Sequence, residues 1–511
     1  MNKVLFTFLV LAATNSWADA FIDPALKTFA LGASSAGTQR VLILTKGVAP
    51  VQKPARYDRA GVVRYFQEAS RLSIAPLMNS LQNNQVPGVK FLQAFWINGA
   101  VLADVTREGL VNLSKQPSVT KIYRNGIVHK DPPVSVKSGH GPVFGADPFG
   151  GASSDYHFTS IGLDRLMKEL PQVVGTGVTV GLVDTGVDAT HPALQGKVPL
   201  FFNGQTRKTS PPQDFDQHGT HVSGTVAGGD RTNNLIGVAP GAKIVMAGVV
   251  EQGFDAMLSG MQFFLDQRQN PAASSIKVVG CSWNTGGAPD QEVFYRAIAA
   301  WEAAGILPVF SAGNAGAQGI THPHEYPGTF AIAAFGADGN IASFSSVGPG
   351  HYHGQDTQKP DIAAPGVDIN SSVPGGNYEQ MSGTSMAQPH ASGTAALLLQ
   401  VKPDLNPAQL KILMTKSAVP TQGRSPGQWD AHWGFGSLNA YNAVKAAQQF
   451  TAMTYEPSNQ SLADFVATPE SLEVSEISHA TLGEVGGEVD QFKDTDPNQW
   501  MTFSETLNGL N

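Results

Sequence analysis

The sequence predicts an α/β protein whose main body is a doubly wound, mainly parallel sheet with helices on both faces, preceded by a smaller α+β unit. Three observations predict it. Four short runs, Val178 to Val183, Ile244 to Val249, Val278 to Ser282 and Leu307 to Phe310, are nearly all apolar, as strands buried on both faces must be. They alternate with stretches of helical periodicity, the order that a parallel sheet with crossover helices requires. The 511 residues are 41% hydrophobic and only 14% charged, which supplies enough apolar material for a large core.

Taken in order, residues 1–20 read as an export signal: Lys3 gives a positive start, Val4 to Ala13 an apolar run, and Ser16-Trp17-Ala18 or Ala18-Asp19-Ala20 a small-residue cleavage site. A secreted protein, extracellular or periplasmic, is expected. Residues 39–126 form the α+β unit. Val41 to Leu44 reads as a strand, Tyr57 to Leu81 largely as helix, Lys90 to Ile97 and Ala100 to Asp104 as strands joined by Asn98-Gly99, and Arg107 to Lys115 as a second helix. Residues 127–155, with Asp131-Pro132-Pro133 and many glycines, read as a cleavable linker. The main body follows over 156–450, and a helix from about Ser385 to Val401, mostly Ala, Gly and Leu, is expected at its centre. Residues 451–511 carry 11 acids against the single Lys493, a charge of −10 that exceeds in magnitude the −8 of the whole chain. That balance favours solvation over packing.

Some classes are excluded at once. The one cysteine, Cys281, forbids intrachain disulfides and reads as a small buried residue. No basic cluster or phosphate-cradling loop points to nucleic acid, and no apolar run beyond the N-terminus is long enough to span a bilayer.

The chemistry is carried by three segments. Gly383-Thr384-Ser385-Met386-Ala387 presents a hydroxyl where an apolar helix begins, Val183-Asp184-Thr185-Gly186 a carboxylate at a strand end, and His218-Gly219-Thr220-His221 an imidazole. A serine hydroxyl needs a base to take its proton, and the resulting imidazolium needs a buried carboxylate on its far nitrogen. Ser385, His218 and Asp184 fit those roles. Ser311-Ala312-Gly313-Asn314 supplies an amide, so the Asn314 side chain and the Ser385 N–H are the candidate donors to a tetrahedral oxyanion. His221 and His390 read as structural.

With these motifs in place, the region from about Gly175 to Val444 resembles the subtilisin-like serine proteases. The resemblance rests on "GLVDTGVDATHPAL", "HGTHVSGTVAG", "IGVAPGAKI", "SAGN", "KPDIAAPG" and "MSGTSMAQPHASGTAAL", all in that family's order. It implies peptide-bond hydrolysis through an acyl-enzyme on Ser385, with no cofactor required for the chemistry. It also implies that Ser282, Trp283 and Asn284 and, opposite them, Ser311, Ala312 and Gly313 line the pocket for the residue before the scissile bond. Many relatives have glycine where Asn284 stands, and a side chain there narrows the entrance or adds a polar contact. The unit over 39–126, ending in "LSKQPSVTKIYRN", is similar to the family's inhibitory propeptide, which makes the chain's own pro-region a partner beside protein or peptide substrates. The loop Gly228 to Leu235 occupies the place of a calcium loop of some relatives, but its one acid, Asp230, and its asparagines do not reproduce that ligand pattern, so no metal ligands are assigned; a structural calcium bound through carbonyls stays compatible with the sequence. Two other readings share the scaffold: a catalytically silent binding protein, and a peptide ligase using the same acyl-enzyme.

Overall fold

The computed structural model describes residues 20–31, 37–50, 54–131, 134, 156–230, 235–286, 292–421 and 423–450. The stretch expected to be an export signal, up to residue 19, most of the expected 127–155 linker and the acidic segment after Phe450 lie outside the described residues. The chain divides into two compact units, Met1–Lys46 with Ser73–Ala94 and Ala100–Arg124, and the remainder.

The first unit is a five-stranded sheet in the order Phe21–Ile22, Val119–Arg124, Gln39–Thr45, Ala100–Val105, Val89–Phe95. Its central strand runs antiparallel to both neighbours. Alternate residues Val41, Ile43, Val101, Ala103, Val105 and Ile122 point into one core with Leu110 and Leu113 from the helix Arg107–Ser114. That helix starts where it does because Thr106 accepts a hydrogen bond from the Gly109 N–H. The strands and helices expected from the sequence are all present within a few residues. Phe21–Ile22 adds a short edge strand beside Val119–Arg124, and Pro24–Leu31 a helix, neither of which the sequence predicts.

The second unit is built on an eight-stranded sheet in the order Ile362–Pro365, Phe330–Phe335, Leu307–Ser311, Val278–Cys281, Thr179–Asp184, Lys243–Gly248, Leu200–Asn203, Lys208–Thr209. All pairings are parallel except the last. The expected fold class is therefore the observed one. Pleating divides each central strand between two faces: Val180 and Leu182 join the core that includes Val222, Val226, Ala391 and Ala395, whereas Gly181 lies against Phe264 on the other side. Two helices, His218–Ala227 and Thr384–Val401, pack against one another on the first face, and Phe254–Phe263 packs with Glu292–Ala303. Trp301 of the latter donates its indole N–H to the Met261 carbonyl at 2.9 Å. The Thr384–Val401 helix is buried from Thr384 to Leu399. Its composition explains this, because Ala, Gly and Ser let strands and neighbouring helices approach all round.

Candidate active site

Three parallel strands bring their carboxyl ends side by side. Asp184 closes one, Cys281 closes the next just before Ser282, and Ser311 closes the third; Cys281 is level with Val183 on one side and Phe310 on the other. Functional loops collect at this edge because that is where connections leave a parallel sheet toward their helices.

Asp184 Oδ1 accepts hydrogen bonds from His218 Nδ1 at 2.7 Å and from the Thr185 N–H at 2.7 Å, and both partners are buried. With Nδ1 as donor, His218 Nε2 is the basic nitrogen. It has no hydrogen-bond partner among the described residues, and neither does the buried Ser385 Oγ. Such contacts commonly close only once substrate is bound. Burial alone would push the His218 pKa down, but the charge and hydrogen bond of Asp184 outweigh it and hold the imidazole above its ordinary value. Lys130 opposes this slightly and Asp131 reinforces it.

A second carboxylate fixes this pair without joining it. Asp214 accepts from Thr185 Oγ1 at 2.8 Å, and from the N–H and Oγ1 of Thr220 at 2.8 and 2.5 Å; Thr185 Oγ1 in turn accepts from the Gly219 N–H at 2.9 Å. Burial raises the Asp214 pKa in spite of these bonds. Asp214 thus ties the loop after Asp184 to the helix that begins with His218. The approach is close: a Cβ on Gly219 would stand 2.1 Å from the Gly186 carbonyl, so only glycine fits. Sequence reasoning missed Asp214, although the acid four residues before His218 was there to be read.

Ser385 is the second residue of the Thr384–Val401 helix, so its N–H belongs to the first turn, whose donors have no intrahelical partners. Pro389 lacks the N–H that would have bonded the Ser385 carbonyl, and Ser282 Oγ approaches that carbonyl at 3.5 Å instead. Asn314 Oδ1 accepts from the N–H and Oγ1 of Thr384 at 2.9 and 2.7 Å. Because a backbone N–H can only donate, this fixes the amide orientation and turns Nδ2 toward the Gly383 backbone, where a Cβ would stand 3.2 Å from it.

The six residues assigned to the substrate pocket divide. Trp283 is fully buried between Phe294 and Phe310, with ring centroids 5.3 Å from each, so only its backbone faces a neighbouring strand. Ser282 turns to Gln388 and Ala312 is buried, while Gly313 has a positive φ of 96° and its N–H donates to Thr384 Oγ1. The side chains of Asn284 and Ser311 reach a residue the sequence had left in the linker, Asp131, at 2.8 and 2.6 Å.

That residue directly follows a short strand. His129–Lys130 pairs antiparallel with Trp283–Asn284, and on its other side Val128 exchanges backbone hydrogen bonds of 2.9 Å with Glu251 and Gln252. Lys130 Nζ bonds Asp216, whose carboxylate also accepts the His218 N–H. Beyond Asp131, the Val134 N–H donates to the Ser382 carbonyl, three residues before Ser385. The first residues of the stretch expected to be linker, 127–131, thus form ordered extended chain at the site, a correction to that expectation; the rest of the stretch, apart from Val134, lies outside the described residues.

The remaining candidates take structural places. His221 Nε2 lies 2.9 and 3.1 Å from the carbonyls of Ile369 and Glu379, and burial pushes its pKa down to about 3. His390 Nδ1 donates to the Met386 carbonyl, its Nε2 meets His157, and burial lowers it to about 4. Cys281 is buried, which pushes its thiol up and keeps it protonated. At the loop Gly228 to Leu235, Lys197 Nζ donates to the Gly229 carbonyl and also to that of Pro240; residues 231–234 lie outside the described residues, and no cluster of three metal-ligating side chains occurs among the described ones. Nor is any described helix long and apolar enough to cross a membrane.

Comparison with known proteins bears on the family and the fold. The subtilase family profile matches residues 175–436, about half the chain. Bacillopeptidase F of Bacillus subtilis (strain 168) is 39% identical over 303 residues, 53% of this chain but only 21% of that protein. Subtilisin NAT of Bacillus subtilis subsp. natto is 28% identical over 370 residues, 71% of this chain and 86% of that one. Among solved structures, fervidolysin from Fervidobacterium pennivorans, described as a keratinolytic enzyme related to subtilisin, superposes with a TM-score of 0.60 at 22% identity, over 85% of this chain and 64% of that one.

Proposed function

We propose, from the premise that the chain belongs to the subtilase family of serine proteases, that it is a secreted endopeptidase made as a self-processing precursor. The observation that carries the catalytic reading is the buried 2.7 Å bond from His218 Nδ1 to Asp184, which leaves Nε2 as the base, at the start of a helix packed against the one that Thr384 and Ser385 open. In the first step Ser385 Oγ bonds to the substrate carbonyl carbon while its proton passes to His218 Nε2. The carbonyl electrons move onto oxygen, which the Asn314 amide and the Ser385 N–H stabilise. Collapse of this intermediate breaks the C–N bond, and His218 delivers its proton to the departing amine. Water then repeats the sequence on the acyl-enzyme, releasing the acid and restoring Ser385. Asp184 keeps its charge throughout.

A fluorophosphonate ester tests this directly, because it reacts only with an activated serine. One adduct per chain is expected, on Ser385, and none in Ser385→Ala; an unlabelled parent or an adduct elsewhere overturns the assignment. Asn314→Leu should fold and bind peptide with little change in affinity while kcat falls by about 100- to 1,000-fold, since the lost donor acts on charge that exists only in the transition state. That scale is the one known for the corresponding donor of subtilisin. A kcat within threefold of the parent would remove Asn314 from the oxyanion site.

The precursor reading rests on the export-like N-terminus, on the similarity of residues 39–126 to an inhibitory pro-region, and on the seat that residues 128–131 take beside His218.

A further inference from the structure

The segment Val128 to Asp131 runs through the site as a substrate would. It is the middle strand between Trp283–Asn284 and the backbone of Glu251 and Gln252, and the charges of Lys130 and Asp131 are both felt at His218. An extended chain held by main-chain bonds on both sides is the usual way a strand is captured at an exposed edge, with side-chain pockets adding selectivity. The side chain that such a strand sends into the pocket between residues 282–284 and 311–313 is here a carboxylate. Asp131 is 3% exposed, and among the described residues no ion pair joins it to a lysine or arginine. Burying a charge that way is costly unless the surroundings are arranged for it.

They are so arranged. Asn284 Nδ2 donates to Asp131 Oδ1 at 2.8 Å and Ser311 Oγ to Oδ2 at 2.6 Å. His324, wholly buried, points Nε2 at Asp131 Oδ1 from 4.0 Å, and neither of its ring nitrogens has a hydrogen-bond partner among the described residues. Gly313 opens the way between them: a Cβ there would stand 3.7 Å from His324 Nε2, in the space that now joins the imidazole to the pocket. The neighbouring acid Glu325 is engaged by His322, on the same turn. An unbonded buried imidazole is a donor waiting for an acceptor, and a slightly longer acidic side chain would close the remaining gap.

We infer that Asn284, Ser311 and His324 form a pocket for a carboxylate, so that the enzyme cuts after aspartate or glutamate, with Asp131 as the chain's own occupant of that pocket. The inference rests on the peptidase reading given above and adds its specificity. The bond after Asp131 is to Pro132, a tertiary amide whose nitrogen carries no hydrogen, which makes the occupant a poor substrate.

The test is a set of tetrapeptide p-nitroanilides that differ only at the last residue, Asp, Glu, Asn, Gln, Phe or Leu, turned over by the protein expressed as the full chain. Asp and Glu are expected to exceed Asn and Gln, and also Phe and Leu, by at least about tenfold in kcat/KM, the scale of one hydrogen bond to a charged group. Ser311→Ala and Asn284→Gly should each lower the ratio of acidic to amide substrate by about 10- to 100-fold; two variants are used so that misfolding of one leaves the other to decide. Turnover that favours Phe or Leu, or treats Glu and Gln alike, overturns the acidic pocket and leaves the peptidase intact. No turnover of any substrate, together with no phosphonate adduct on Ser385, overturns both.

Discussion

Full-length Ser385→Ala is expected to lose about a million-fold in kcat on every peptide substrate and to accumulate as one uncut polypeptide. The magnitude is that of the corresponding change in subtilisin, a relative of this chain, and its cause is general: without Oγ no acyl-enzyme forms, and His218, held by Asp184, has no hydroxyl proton to take. What survives is the smaller rate that oriented donors give to direct attack by water. Folding should be intact. Ser385 Oγ makes no hydrogen bond among the described residues, so replacing it leaves no partner unsatisfied, and the helix around it is held by packing from Thr384 to Leu399. Two measurements separate the links. Turnover of a peptide reports the nucleophile, while the intact mass, after expression in a host lacking other proteases, reports self-processing. A variant that stays inactive on peptides but matures like the parent would keep Ser385 as nucleophile and refute self-processing; one that retains turnover would refute both.

Much of this site was legible because its chemistry sits in short local motifs. Asp184, His218 and Ser385 each end or begin an element, and a strand-ending acid or a helix-opening serine can be placed from a dozen neighbouring residues. The four central strands could be read for the same reason. Phe330–Phe335 is as uniformly apolar as those four and carries the same signal, whereas Ile362–Pro365 and Leu200–Asn203 are four residues long and end in Pro and Asn, residues that read as turn. What local sequence does not carry is long-range pairing. Asp131 meets Asn284 153 residues away and Ser311 180 residues away, through a strand of two residues in a stretch whose prolines and glycines read as linker. His324 is one histidine among 13, and its burial follows from the turn after residue 320, not from any pattern around it. One signal was present. The side chain at Asn284, where many relatives carry glycine, marked the pocket as unusual before the residue it binds was known.

Asp184→Asn should cost about 10,000-fold in kcat while leaving substrate affinity close to that of the parent, and it should move the pH profile in a direction that a merely structural change would not. The parental carboxylate accepts from both His218 Nδ1 and the Thr185 N–H on one oxygen. An asparagine amide can turn its nitrogen toward His218, which then holds the proton on Nε2 and cannot act as base. The electrostatic consequence has the same origin. Asp184 is the main attraction that lifts the His218 pKa against burial, so removing its charge lets burial prevail and the pKa falls. The acid limb of kcat/KM, which reports protonation of the free base, should therefore move to lower pH as the rate collapses. Stability supplies an independent check. A histidine whose folded pKa is raised contributes stability that is fully present below its unfolded value of about 6.5 and fades as pH rises through the folded value. Parent and variant melting temperatures should accordingly differ more at pH 5 than at pH 9. A variant with parental kcat, or one whose acid limb moves upward, would show that Asp184 neither orients His218 nor supports its charge.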